Sequence, residues 1–246
     1  MALGTLFISC SNEDLTPFYG GQVAGKVVIK GYNGLTDSIQ VVANGEPLKI
    51  GDNNTFRGRI VKNYEFVYYG NLTENIKVIN KNTGETLHSY DFTNSRLTDT
   101  LSFYVKDGIY LDNVLSFRPG TLSGAGRTGY RFIFPTMNRY SNSGYNGPVD
   151  AIIRKTNGQV LATAENITKD GFSNYVEFAY APPPIINVEL VKHGTTESYI
   201  AGQQIIVQLV MQNNKSRLIV LDEKANEGET FTGVEGVVNL VDNFDF

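Results

Sequence analysis

From residue 25 onward, apolar and polar side chains alternate with a period of two, in short blocks separated by Gly, Asn, Asp and Pro. The blocks KVVIKG, SIQVVA, YEFVYY, NIKVIN, TLHSYDF and TLSFYV have the length and the β-branched or aromatic content of strands. No segment carries the periodicity of an amphipathic helix. Asn-Gly pairs at 44–45 and 157–158 stand between apolar blocks and predict tight hairpin turns, because both central turn positions favour positive φ. The chain is therefore expected to be all-β.

The pattern occurs twice. Residues 31–48, GYNGLTDSIQVVANGEPL, match residues 144–161, GYNGPVDAIIRKTNGQVL, with identities at Gly31/Gly144, Tyr32/Tyr145, Asp37/Asp150 and Asn44-Gly45/Asn157-Gly158. The match continues from 64–85 to 176–197. There Phe66 and Tyr68 recur as Phe178 and Tyr180, two apart and so on one strand face, and read as core aromatics. A fainter echo joins 108–113 to 217–223. Short strands at this spacing predict two tandem β-sandwich domains of immunoglobulin-like or fibronectin-like type, related by internal repeat. They are placed at 25–118 and 130–223, with a leading segment over 1–24 whose residues 11–24 form a tether, and a flexible Gly-rich linker over 119–129. A tail over 224–246 contains VVNLV, which suits an added edge strand. Pro182-Pro183-Pro184 replaces a turn of the first copy and predicts a stiff, extended connection.

Composition narrows the function classes. Of 246 residues, 41% are hydrophobic and 19% charged, enough to build cores and too little charge for disorder. The net charge of −4, without a basic run, argues against nucleic acid as a partner. No stretch approaches the roughly 18–20 apolar residues that span a bilayer. A single cysteine excludes an intramolecular disulfide and a Cys-based zinc site.

That cysteine is Cys10. Residues 2–9, ALGTLFIS, are apolar or small, and the polar run SNED follows the cysteine. Small or apolar residues directly before a cysteine are what a lipoprotein signal peptidase reads, and Phe7-Ile8-Ser9-Cys10 resembles a lipobox. Glu13 and Asp14 resemble the export signal of Bacteroidota surface lipoproteins. The resemblance implies that Cys10 carries lipid and that acyl chains hold the protein to the outer membrane, at about 0.8 kcal/mol per buried CH₂. It also implies display at the cell surface. No basic segment precedes the apolar run, so the given start reads as a shortened signal peptide.

Local chemistry is sparse. GAGRTG at 124–129 matches G-x-G-x-x-G, but YRFIFP follows it and reads as a strand. A dinucleotide site needs a helix there, so no cofactor is expected. His88 and His193 lie beside strand ends without metal-binding or catalytic context and read as solvated imidazoles, leaving neither a metal site nor a catalytic residue. The carboxylate pairs Asp222/Glu223 and Asp242/Asp245 fall in polar segments expected to be exposed, and GDNNTFRG at 51–58 reads as a hairpin loop without a full calcium ligand set.

The surface-lipoprotein resemblance further implies glycan capture. Without Trp, aromatic contact with sugar falls to Tyr, and Tyr69 and Tyr140 are the candidates because the other copy does not repeat them. RYSNSGYNGP at 139–148 is expected to offer polar contacts. The same resemblance implies O-glycosylation at Asp-Ser/Thr-apolar triplets, which selects Ser38 and Thr100. Two binding or structural readings stay open, beside a third, an enzyme, since a sandwich can host a site that leaves little local sequence trace. One is a non-enzymatic, lipid-anchored envelope protein that binds a glycan or a neighbouring envelope protein. The other is a structural or adhesive subunit acting through domain or strand contacts. Fatty-acid labelling in the host is expected to mark the protein and to be lost in Cys10→Ala; an unlabelled wild-type protein removes the anchor.

Overall fold

A computed structural model describes residues 21–70 and 73–246, so Cys10 lies outside the described residues. The first half of the chain forms β1 (Gln22–Asn33), β2 (Ile39–Ala43), β3 (Glu46–Pro47), β4 (Gly58–Tyr69), β5 (Glu74–Asn80), β6 (Thr86–Phe92), β7 (Thr98–Lys106) and β8 (Ile109–Asp112). The second forms β9 (Arg127–Ile133), β10 (Val149–Lys155), β11 (Val160–Ile167), β12 (Val176–Ala179), β13 (Ile185–Lys192), β14 (Ile206–Val210), β15 (Lys215–Ala225) and β16 (Phe231–Asn239). Two single 3-10 turns, Val114–Ser116 and Leu240–Asp242, are the only helical segments among the described residues.

The protein is all-β, with two tandem sandwiches of two four-stranded sheets each. The first copy has sheets β4-β1-β7-β8 and β3-β2-β5-β6; the second has β12-β9-β15-β16 and β11-β10-β13-β14. The second copy thus repeats the first strand for strand. In each, the opening strand runs parallel to the seventh, β1 with β7 and β9 with β15, while their other neighbours are antiparallel. This order places β16, not β15, at the position of β8, so the echo between 108–113 and 217–223 joins strands with different places in the sheet.

Both Asn-Gly pairs turn hairpins, by different geometry. Asn44 and Gly45 both have positive φ, 46° and 89°, and close a two-residue turn between β2 and β3. After β10, Gly158 has φ 88° while Lys155 N–H donates to Gln159 at 2.9 Å, a longer loop in which only Gly needs the left-handed conformation.

Several expected boundaries move. β1 begins at Gln22, because Gln22, Val23 and Ala24 pair with Tyr69, Tyr68 and Val67; these residues are strand, not tether. The linker is pinned rather than free: Ser123 gives its N–H (2.9 Å) and hydroxyl to Glu177, and from Arg127 the chain is already β9. β15 runs on to Ala225, and β16 pairs with it as the edge of its sheet.

Each sandwich has its own core. Val27, Ile29, Ile39, Val41, Ile76, Val78, Leu101 and Phe103 fill the first, and Tyr130, Phe132, Ile153, Val188, Leu190 and Leu221 belong to the second. A third apolar cluster joins them: Tyr104, Ile109, Leu111 and Val114 of the first copy pack with Ile133, Leu218, Val220, Leu240 and Phe244 of the second. The equivalent sheets β4-β1-β7-β8 and β12-β9-β15-β16 therefore face one another across an apolar seam, and the tail supplies part of it. Arg59 and Asp245 form an ion pair across the same boundary. Removing a fully buried Leu side chain costs about 2–5 kcal/mol. Leu218→Ala is accordingly expected to lower stability by about that amount and to split a single calorimetric transition into two; one unsplit, unshifted transition overturns the seam as the coupling element.

Candidate functional site

Where the two copies meet, the seam leaves a cleft of about 450 Å³. Tyr32 and Lys106 reach it from β1 and β7, Arg217 from β15, Asn239 from the end of β16, and Asp242 and Asn243 from the tail. The placement follows from strand phase. Val27, Ile29, Leu101 and Phe103 point into the first core, so Tyr32, Tyr104 and Lys106 point the other way, to the seam. Tyr32 stacks on buried Tyr104 with ring centroids 5.9 Å apart and planes 12° apart, which fixes both rings. Arg217 donates to the Val210 carbonyl at 2.8 Å and lies over the Tyr130 ring at 5.9 Å. Asn239 Oδ1 accepts the Leu218 N–H at 3.0 Å. The cleft combines an aromatic wall, two cations, two amides and one carboxylate, a set that can meet a neutral polyhydroxyl molecule by hydrogen bonds and C–H contacts.

A second contact between the copies comes from the long connection between β9 and β10, residues 134–148, which has only 34–38 as its counterpart in the first copy. Its anchor is Glu223. The carboxylate is 1% exposed and accepts five hydrogen bonds: from the N–H of Asn138 (2.9 Å), Tyr140 (2.8 Å) and Ser141 (3.0 Å), the Ser141 hydroxyl (2.6 Å) and the Tyr199 hydroxyl (3.0 Å). Burial alone would raise its pKa; the Ser141 hydroxyl and the backbone donors outweigh burial and hold it below the ordinary carboxylate value. Next to it, buried Asp222 accepts from the Thr136 hydroxyl at 2.8 Å and from Lys224 Nζ at 2.8 Å. The expectation of exposed carboxylates is thus corrected for Asp222 and Glu223: both are structural acceptors, on opposite faces of one strand. So fixed, the loop extends Arg139 across the domain boundary, where Nη1 donates to the Asp107 carbonyl at 2.7 Å. The polar groups of 139–148 are mostly committed within the loop: Ser143 donates to Asn138 Oδ1, Asn138 Nδ2 to the Tyr145 carbonyl, and the Tyr145 hydroxyl to the Pro148 carbonyl.

The other candidates are scattered. Tyr69 is exposed on the outward face of β4, opposite Gln22. Tyr140 is half-buried beneath the Arg139 guanidinium, 5.0 Å from the ring centroid. Neither lines the cleft. Ser38 is half-buried, its hydroxyl accepting from Arg57 Nε at 3.2 Å, whereas Thr100 is exposed on β7. The 51–58 segment is a tight turn closed by mutual bonds of Ile50 and Asn53, and GAGRTG leads into strand β9. Among the described residues, no group of three or more His, Cys, Asp or Glu side chains is placed to hold a metal.

The histidines are less free than expected. His193 Nδ1 bonds Asp150 at 2.8 Å, and this hydrogen bond and the carboxylate's charge raise its pKa. His88 stacks on Tyr110 at 5.0 Å, beside a Tyr90–Tyr110 hydroxyl pair 2.8 Å apart.

No protein-family model and no curated protein matches the chain. Among solved structures, the fold is similar to family 41 carbohydrate-binding modules from streptococcal virulence factors, described as recognising alpha-glucan: 12% identity over 86% of this chain and 97% of that one, TM-score 0.26. It is also similar to the Bacillus anthracis TIE protein, with 11% identity over 83% and 34% and TM-score 0.26. A third is CBMbc, a family CBM26 module of Eubacterium rectale Amy13K solved with maltoheptaose, with 10% identity over 87% and 97% and TM-score 0.21. At these TM-scores the likeness carries no argument about what this chain binds.

Because the pKa of Glu223 is depressed in the fold, its stabilisation is present above the ordinary carboxylate pKa and is lost as pH falls through the folded value. Glu223→Gln is expected to cost about 3 kcal/mol at neutral pH, as charged acceptors of several buried donors do, and to flatten the acid limb of the stability profile. Urea melts across pH test this; a variant with the wild-type profile would show that the carboxylate anchors nothing.

Proposed function

We propose that this chain is a non-catalytic binding protein of the bacterial envelope, held to the outer membrane by lipid on Cys10 and displayed at the cell surface, with a glycan as its ligand. The cleft between the sandwiches is the observation that supports the binding reading. It is the place where both copies contribute side chains to one concavity, and sites at domain boundaries with a few convergent polar groups are the usual form of small-ligand pockets. Tyr32 supplies the apolar face that a sugar ring's C–H bonds need, with Asp242, Asn243, Lys106 and Arg217 placed for its hydroxyls. The cell-envelope part of the reading rests on the lipobox-like sequence before Cys10.

A saturating oligosaccharide should raise the melting temperature by mass action. The expected result, from a panel of α- and β-linked hexose oligomers, is a shift in wild type that Tyr32→Ala and Asp242→Asn each abolish. A shift that survives both substitutions overturns the cleft as the site. No shift with any member of the panel overturns the glycan.

A further inference from the structure

β4 forms one edge of its sheet. At twelve residues, β4 is among the longest strands in the protein, and among the described residues only β1 pairs with it. Three of its side chains, Val61 (50% exposed), Val67 (45%) and Tyr69 (57%), are large hydrophobics turned to solvent. The equivalent strand β12 has four residues and runs into Pro182-Pro183-Pro184, which cannot donate to a ladder; β4 contains no proline. An exposed edge of this length is normally blunted by shortness, proline, charge or a cover. Among the described residues β4 carries only charge, from Arg59, Lys62 and Glu65.

The direction of the backbone can be read from two bonds. Gly70 N–H donates to the Gly21 carbonyl at 3.1 Å, and Lys26 N–H donates away from β4, to the Leu97 carbonyl, at 2.8 Å. Even-numbered residues of β4 therefore bond β1, and odd-numbered residues, from Arg59 to Tyr69, turn their N–H and C=O groups to the open side. The same odd residues carry the outward side chains.

We propose that two copies of this chain associate through antiparallel β4–β4 pairing, with Tyr64 opposite its own counterpart across a two-fold axis. In this register Val61 faces the second copy's Val67, Arg59 faces Tyr69 and Asn63 faces Glu65, while Ile60 faces Tyr68 on the inner side. Apolar meets apolar and cation meets aromatic ring, and no like charges are opposed. Sliding the register by two residues one way sets Glu65 against Glu65; the other way sets Val61 against Glu65. Complementarity thus selects a second copy and a register, and an isologous pair closes on itself rather than growing into a fibre. This inference does not depend on the cleft or on the identity of its ligand.

Analytical ultracentrifugation of the full chain across a concentration series tests it. Wild type is expected to reach twice the chain mass reversibly. Val61→Lys with Val67→Lys, which opposes two like-charged pairs, is expected to stay monomeric while keeping the wild-type melting transition of a dilute sample. Val61→Lys with Val67→Glu, which replaces each Val–Val pair of this register by an ion pair, is expected to dimerise again. A wild type that remains monomeric at the highest attainable concentration overturns the proposal, and so does a Lys/Glu variant that stays monomeric beside a dimeric wild type, since that excludes the register.

Discussion

β7 and β15 have no solvent face over most of their length, and the rest of the molecule is arranged around that constraint. Leu101, Phe103 and Val105 of β7 enter the first core, while Ser102 and Tyr104 face the seam; in β15, Ile219 and Leu221 enter the second core, while Leu218 and Val220 face the seam. A strand buried on both sides reads as a continuous apolar run rather than an alternation. The domains cannot part without exposing Leu218, Val220, Ile109 and Leu111 together, so the linker has little to decide. The Arg139 bridge and the Arg59–Asp245 pair lie at the margins of this apolar seam, where they add direction more than adhesion.

Much of this was legible in the chain. The period-two blocks give strands, and the duplicated GYNG…NG stretch gives two copies, because side-chain alternation and turn chemistry are local properties. Identity did not always mean the same job, however. Asp37 and Asp150 do correspond: each carboxylate accepts bonds from the C-terminal end of β5 or β13 and the turn beyond it, through Asn80 and Asn82 in one copy and His193 and Gly194 in the other. Gly31 and Gly144 do not. Gly31 lies within β1 directly under the Phe103 ring, where any side chain would collide, whereas Gly144 sits in a loop at φ 74°. The second copy lengthened that connection, so equal letters fell on unequal backbone.

The seam, the cleft and the burial of Glu223 were not legible, for a physical reason each time. Asp222-Glu223 looks like a polar strand end because the groups that satisfy it, Thr136 and the backbone N–H groups of 138–141, come from a distant loop and leave no mark on neighbouring positions. The cleft is a by-product of two equivalent sheets meeting face to face, and residues such as Tyr32 and Asp242 have no sequence relation to one another. One signal was available: Tyr104 breaks the alternation of β7 by placing a large aromatic where an exposed sheet would carry a polar side chain.

The outward face of the β4-β1-β7-β8 sheet shows how such a molecule can divide its surfaces. Its β7-β8 half is apolar and covered by the second copy, whereas its β4 half keeps Arg59, Asn63 and Glu65 among Val61, Val67 and Tyr69. Tyr32 and Lys106 line the cleft between these halves. In the second copy Ile133, Leu218 and Val220 of the equivalent sheet face the seam, and its edge strand β12 has four residues where β4 has twelve, so the long edge of one copy is short in the other. Duplication supplied two scaffolds of the same strand order; packing the same face of each against the other left a cleft to which both contribute. A ligand held there touches both copies at once, and its affinity therefore depends on how firmly Leu218, Val220 and Leu240 keep the two sheets in register.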